Sequence, residues 1–215
     1  MFELFKNLGK WLTSGSQWAG SDGIAHRLAE HLQYSLLATL IAAAIGLPLG
    51  LLIGHTGKGA FLAINLASFG RALPTVGLVV LVFLASGLSM WPVYIALVAL
   101  AVPSIVTNTY AGMTAVDPDV KDAARGQGMR GHQVLFQVEL PLALPLIMTG
   151  LRLALIQVVS TATVAAYVSF GGLGRYIVDG LSQYDYPQVV GGAVLVALLS
   201  LVTLGVFWLD RKSVV

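Results

Sequence analysis

The chain has 215 residues, 57% hydrophobic and only 10% charged, with a mean hydropathy of +0.83. A soluble domain carries about 25% charged residues, so most of this chain belongs in lipid. Its formal charge of +2 reflects where a membrane protein places Lys and Arg and gives no reason to assign nucleic-acid binding. The absence of cysteine excludes disulfides, thiolate metal sites and thiol redox chemistry.

Each crossing needs about 20 apolar residues, so this length suits one all-α membrane domain of about five helices and leaves no room for a nucleotide-binding domain. At the amino terminus, Lys6 and Lys10 lie among Phe2, Leu4, Phe5, Leu8 and Trp11. That mixture lacks the continuous apolar core of a signal peptide and predicts a short amphipathic helix at the interface. The expected division is an interfacial segment over 1–32 and a transmembrane domain over 33–210. Residues 34–54 carry no charge and predict the first span. Ala38, Ala42, Gly46, Gly50 and Gly54 recur at every fourth position, a small-residue stripe suited to close helix packing. Pro48 is a candidate kink.

After the turn His55-Thr56-Gly57-Lys58-Gly59, a second apolar segment runs to about residue 89. Arg71 interrupts it, so the embedded part is expected to begin near Arg71, whose side chain can snorkel to the interface. The third span is expected over 91–112, with Trp91 and Tyr94 in an interfacial belt.

A polar loop, 113–144, follows. Asp117 before Pro118 is a helix N-cap with proline at the first helical position, and Asp119 and Asp122 suit the first turns. A helix of two to three turns is expected, ended by Gly126 and Gly128, then a second short helix over 134–140 stopped by Pro141. The fourth and fifth spans are expected over 144–168 and 189–209. An external loop between them contains Gly171-Gly172-Leu173-Gly174. With the amino terminus outside, Lys58, Lys121, Arg125, Arg130, Arg211 and Lys212 lie inside and only Arg175 lies in the short outer loops. Lys6, Lys10 and Arg27 oppose this orientation, which puts the 113–144 loop in the cytoplasm.

Acids are expected to be absent from the depth of the spans, which disfavours a proton-driven carrier. Gly54-His55-Thr56-Gly57-Lys58-Gly59 lacks the glycine spacing and the hydroxyl residue of a phosphate loop. His26, His31, His55 and His132 are scattered and read as surface or interfacial residues. Ser160, Ser169, Thr161 and Thr163 lack a Gly-x-Ser-x-Gly elbow. No enzyme activity is expected.

Asp122-Ala123-Ala124, three residues, Gly128, nine residues and Val138-Glu139-Leu140-Pro141 resemble the Glu-Ala-Ala coupling loop of binding-protein-dependent ABC import permeases, with Asp and Val replacing the usual Glu and Ile. Further segments are similar to the osmoprotectant branch of that family, which carries glycine betaine, carnitine, choline and related quaternary ammonium compounds. They are Gly70-Arg71-Ala72-Leu73-Pro74-Thr75, Asn108-Thr109-Tyr110-Ala111-Gly112, Ala143-Leu144-Pro145 and Thr161-Ala162-Thr163 with Gly171-Gly172-Leu173-Gly174.

The resemblance implies ATP-driven alternating access in a bacterial or archaeal inner membrane. It also implies two cytoplasmic ATPases holding ATP and Mg, a second permease copy or paralogue, and a separate extracytoplasmic binding protein. No cofactor is expected in this chain. Asp122, Ala123, Ala124 and Gly128 are then the ATPase-coupling residues. Tyr167, Phe170, Gly171, Gly172 and Gly174 are candidates for an outer gate or pathway. Tyr167, Phe170, Tyr176, Tyr184 and Tyr186 cluster near the outer face, where aromatic rings attract quaternary ammonium groups and also serve an interfacial belt. The alternatives are an amino-acid permease, methionine above all, and, from another class, a channel or secondary carrier.

Overall fold

The structure is a computed structural model that describes residues 2–61, 65, 74–87 and 89–210. The described residues are helical and contain no strand. In chain order they form α1 (Phe2–Thr13), a 3-10 turn (Gly15–Gln17), α2 (Ile24–Thr56), α3 (Thr75–Ser86), α4 (Trp91–Thr114), α5 (Pro118–Gly126) and α6 (Gly131–Val134). A π-helical segment (Leu135–Glu139) leads into α7 (Leu140–Thr161), followed by a 3-10 segment (Ala162–Val168), α8 (Gly174–Gln183) and α9 (Tyr186–Asp210).

Four helical stretches among the described residues are long and apolar enough to cross a membrane: α2, α4, the continuous run Gly131–Val168, and α9. The apolar α3 has 12 residues, short of the roughly 20 a crossing needs. Together they agree with an all-α chain of about five spans. Arg71 and residues 70–73 of the Gly-Arg-Ala-Leu-Pro-Thr segment lie outside the described residues.

Two boundaries differ from expectation. The first span was expected to begin at residue 34, but α2 starts at Ile24 and runs unbroken across position 32/33. The polar residues Arg27, Glu30 and His31 therefore belong to the same helix as the small-residue stripe. Pro141, expected to stop a second short helix, instead lies in the first turn of α7. The preceding π register explains this: Leu140 N–H bonds the Leu135 carbonyl, five residues back, and that wider turn accommodates a ring that cannot donate a hydrogen bond.

The chain separates into two compact units. The first comprises Met1–Ala38, Pro74–Leu97 and Leu155–Val215. Its core holds Trp11, Ile24, Leu173 and Tyr176, with Leu28, Leu195 and Leu199 packed around them. Trp11 meets Tyr176 edge to face, ring centroids 5.2 Å apart, and Gly191 leaves room for the indole. The amphipathic α1 is thus anchored on protein through Trp11.

The second unit comprises Thr39–Leu73 and Val98–Ala154. In it the small-residue stripe of α2 meets Ile105, Thr109 and Met113 of α4, which also recur at every fourth position. A methyl placed on Gly46 would lie 3.0 Å from Ile105 Cβ, one on Gly50 would lie 2.6 Å from Thr109 Cβ, and Gly54 abuts Met113. The stripe therefore serves close packing inside one chain. On the next face of α4, Gly112 lies against Ala143 and Asn108 against Gly150 of α7. These contacts explain small residues in both helices, because only their absence of bulk lets the backbones approach.

Candidate functional site

Within the second unit, α5 forms where the sequence places a cap. Asp117 accepts a hydrogen bond from Asp119 N–H at 2.9 Å and Pro118 occupies the first helical position. The helix closes with Gly128 N–H on the Arg125 carbonyl and Met129 N–H on the Ala124 carbonyl. That double bond pattern requires a left-handed residue after the cap, and Gly128 supplies it with φ +86°. Nothing lies within 4 Å of a methyl placed on Gly128, so conformation, not crowding, explains the glycine there.

The faces of α5 differ. Asp122 and Ala123 are exposed, with Asp122 3.1 Å from Arg125 in an exposed pair. Ala124 is buried, the one buried residue of the helix. Lys121 also turns inward. Its Nζ donates to the Met113 carbonyl at the end of α4 at 2.9 Å and lies 3.4 Å from Glu139 Oε1.

Glu139, the last residue of the π segment, is 1% exposed. Its other oxygen, Oε2, accepts from Nδ1 of His55, 2.5 Å away at the end of α2. His55 and Lys121 thus lie at or against the carboxyl ends of α2 and α4, where helix dipoles favour cations. A carboxylate buried to this degree needs such partners. At the level of sequence Glu139 carried no role of its own within the coupling-loop motif and His55 read as surface or interfacial, so this cluster was missed. The available signal was a lone acid inside the apolar stretch 134–140.

In the first unit, the glycine loop closes on α2. Gly172 N–H donates to Glu30 Oε2 at 2.9 Å, and Leu173 N–H donates to His31 Nδ1 at 3.3 Å. The other ring nitrogen of His31, Nε2, donates to the Val159 carbonyl at 2.8 Å. His31 is fully buried, not interfacial as expected, because both ring nitrogens have backbone partners. Arg27 neutralises Glu30 from one turn back at 2.9 Å. A methyl on Gly171 would strike the Glu30 carboxylate, and one on Gly174 would strike the Thr163 carbonyl. Gly172 has φ +85°.

Of the other outer candidates, Tyr167 is exposed and Phe170 half-buried. Tyr184 and Tyr186 are exposed, but Tyr176 is buried in the core of the first unit with its hydroxyl donating to the Asp22 carbonyl at 2.6 Å. An open depression of about 570 Å³ is lined by residues including Ser160, Thr163, Ile177 and Ser200, with the two serine hydroxyls 3.1 Å apart. Among the described residues, no group of three or more His, Asp or Glu is arranged to hold a metal.

A family model described as "Binding-protein-dependent transport system inner membrane component" matches residues 46–212. The glycine betaine/carnitine/choline transport system permease protein OpuCB of Bacillus subtilis (strain 168) is 33% identical over 83% of this chain and 82% of its own length. The carnitine transport permease protein OpuCB of Listeria monocytogenes is 34% identical over 80% of this chain and 79% of its own. The osmoprotectant import permease protein OsmW of Salmonella typhimurium is 32% identical over 80% of this chain and 83% of its own. Among solved structures, an inward-facing MetNI methionine ABC transporter chain superposes with TM-score 0.76, covering 89% of this chain and 96% of that one at 21% identity. That likeness establishes the fold.

Proposed function

Because the chain belongs to the binding-protein-dependent transport system inner membrane component family, and is therefore a multi-pass permease subunit of an ABC importer, we propose that it imports compact quaternary ammonium osmolytes such as glycine betaine, carnitine or choline. The observation that carries this reading is the similarity, across four fifths of the chain, to permeases named for those solutes. The methionine alternative has only the fold likeness at 21% identity behind it.

The permease forms half of the pathway with a second copy or a paralogue, in a bacterial or archaeal inner membrane. Two ATPases, which hold ATP and Mg, meet α5 on the cytoplasmic side. The exposed Asp122 and Ala123 face the partner, the buried Ala124 seats the helix, and Gly128 sets the turn that follows it. A separate binding protein delivers solute at the outer side, where Tyr167, Phe170 and the glycine loop of Gly171, Gly172 and Gly174 border the pathway. The hydrogen bonds from that loop to Glu30 and His31 support its role as a defined structural edge and not a loose connection.

The test is solute competition in proteoliposomes containing the complete complex. Labelled glycine betaine or choline should accumulate and be displaced by other quaternary amines. Accumulation of methionine with no response to any quaternary amine contradicts the cargo assignment.

A further inference from the structure

The exposed and inward faces of α5 pose a mechanical question. A nine-residue helix whose one buried residue is an alanine has little apolar surface with which to grip the rest of the chain. Its inward polar contacts converge on Lys121, which touches the Met113 carbonyl at the end of α4 and the buried carboxylate of Glu139. Glu139 in turn holds His55 at the end of α2. The Glu139 carboxylate thus joins α5, through Lys121, to the end of α2, through His55, at the entry to α7, while the same Lys121 bonds the end of α4 directly. The π turn that carries Glu139 also lets Pro141 continue into α7 without a break.

We propose that Glu139 is a positioning residue for energy coupling: through Lys121 and His55 it makes α5 and the ends of α2 and α4 move as one body when the ATPase displaces α5. This inference rests on the reading that α5 meets the ATPase. A buried charge that loses one partner leaves the other uncompensated in a low-dielectric site. Separation of these elements is therefore opposed more strongly than sliding of an apolar contact. Movement of α5 is transmitted to the α2 end and is not absorbed in the loop.

The chain has no cysteine, so introduced pairs report cleanly. Spin labels at Gln127, after α5, and at Lys58, after α2, are compared in the complete reconstituted complex with and without a trapped nucleotide. In the wild type their separation should stay constant between the two states. In Lys121→Met, which leaves Glu139 bonded to His55, and in Glu139→Gln, it should change or broaden.

The same variants should retain the ATPase and its hydrolysis while solute imported per ATP falls about tenfold, within the range of typical coupling strengths. The double variant should lose less than the sum of the two single ones, because the Lys121–Glu139 contact is common to both. If Glu139→Gln does not assemble, Lys121→Met alone carries the test. Wild-type transport per ATP in Lys121→Met, or an unchanged label separation, overturns the proposal. Loss of ATPase association in Lys121→Met also overturns it, by assigning Lys121 to docking. Failure of the underlying reading is seen separately: a reactive group at Gln127 in the otherwise wild-type chain then does not crosslink to the ATPase.

Discussion

Gly50 of α2 stands against Thr109 of α4 so closely that a methyl group on Gly50 would lie 2.6 Å from the Thr109 Cβ and 3.0 Å from the Val106 carbonyl. Neither neighbour is the free end of a flexible side chain. Gly50→Ala should therefore separate the helices and destabilise the permease by about 1–3 kcal/mol, the usual cost of overpacking. Gly205→Ala in α9, where nothing lies within 4 Å, should leave stability unchanged or slightly raise it. Thermal unfolding of the detergent-solubilised protein compares the two; equal midpoints would show that the stripe tolerates bulk and does not set the packing.

Ala123 is exposed on α5 and Gly128 holds a left-handed turn with open space around it. Ala123→Trp should leave membrane insertion and folding intact while abolishing productive contact with the ATPase. Gly128→Ala should cost about 1–2 kcal/mol through its backbone conformation, with Gly128→Asn losing less because asparagine visits that region more readily. Gly128→Trp adds bulk to the same strain and should uncouple transport. Full uptake and normal ATPase association in both Ala123→Trp and Gly128→Trp would remove α5 from the coupling site.

Tyr176 offers a pH signature of the first unit. Burial pushes its hydroxyl up from 10.0 to about 12, the nearby Arg27 charge acting in the opposite direction. The folded protein thus favours the protonated phenol. Its contribution is fully present below pH 10 and lost as pH rises towards about 12. Tyr176→Phe should lose the hydrogen bond to Asp22 at neutral pH and flatten the alkaline decline over that window. An identical alkaline profile in the variant would assign the decline to other groups.

Much of this was readable from residue order because the signals are local. Apolar runs, the four-residue stripe, the Asp117-Pro118 cap and the glycine stop each depend on neighbours within a turn or two. The Glu139 cluster was not readable in that way. His55, Lys121 and Glu139 are far apart in sequence and meet only after α2, α4 and the π segment have packed. His31 was misread for the same reason: its partners Val159 and Leu173 are more than a hundred residues away. The role of Pro141 was misread because a π turn leaves no simple residue pattern. Gly171 and Gly174 were legible only as candidates for an outer gate or pathway; the Glu30 carboxylate and Thr163 carbonyl that crowd them lie far off in sequence or across a turn and were not.

The Lys and Arg asymmetry predicts a cytoplasmic 113–144 loop. Single cysteines introduced at Gln127 and Gln183 should label from opposite faces of sealed vesicles, Gln127 from the cytoplasmic side. Labelling of both from one side would contradict an internal 113–144 loop and the placement of α5 against an ATPase.

ATP-coupled import through a permease needs a separate ATPase and an outer binding protein to act with it. The most direct measurement is uptake of labelled glycine betaine into proteoliposomes holding the permease and its ATPase, with ATP sealed inside and the binding protein outside. Uptake should require all three components and cease when internal ATP is replaced by ADP. Concentrative uptake by the permease alone, or uptake that follows a sodium or proton gradient without ATP, would contradict ATP-coupled import.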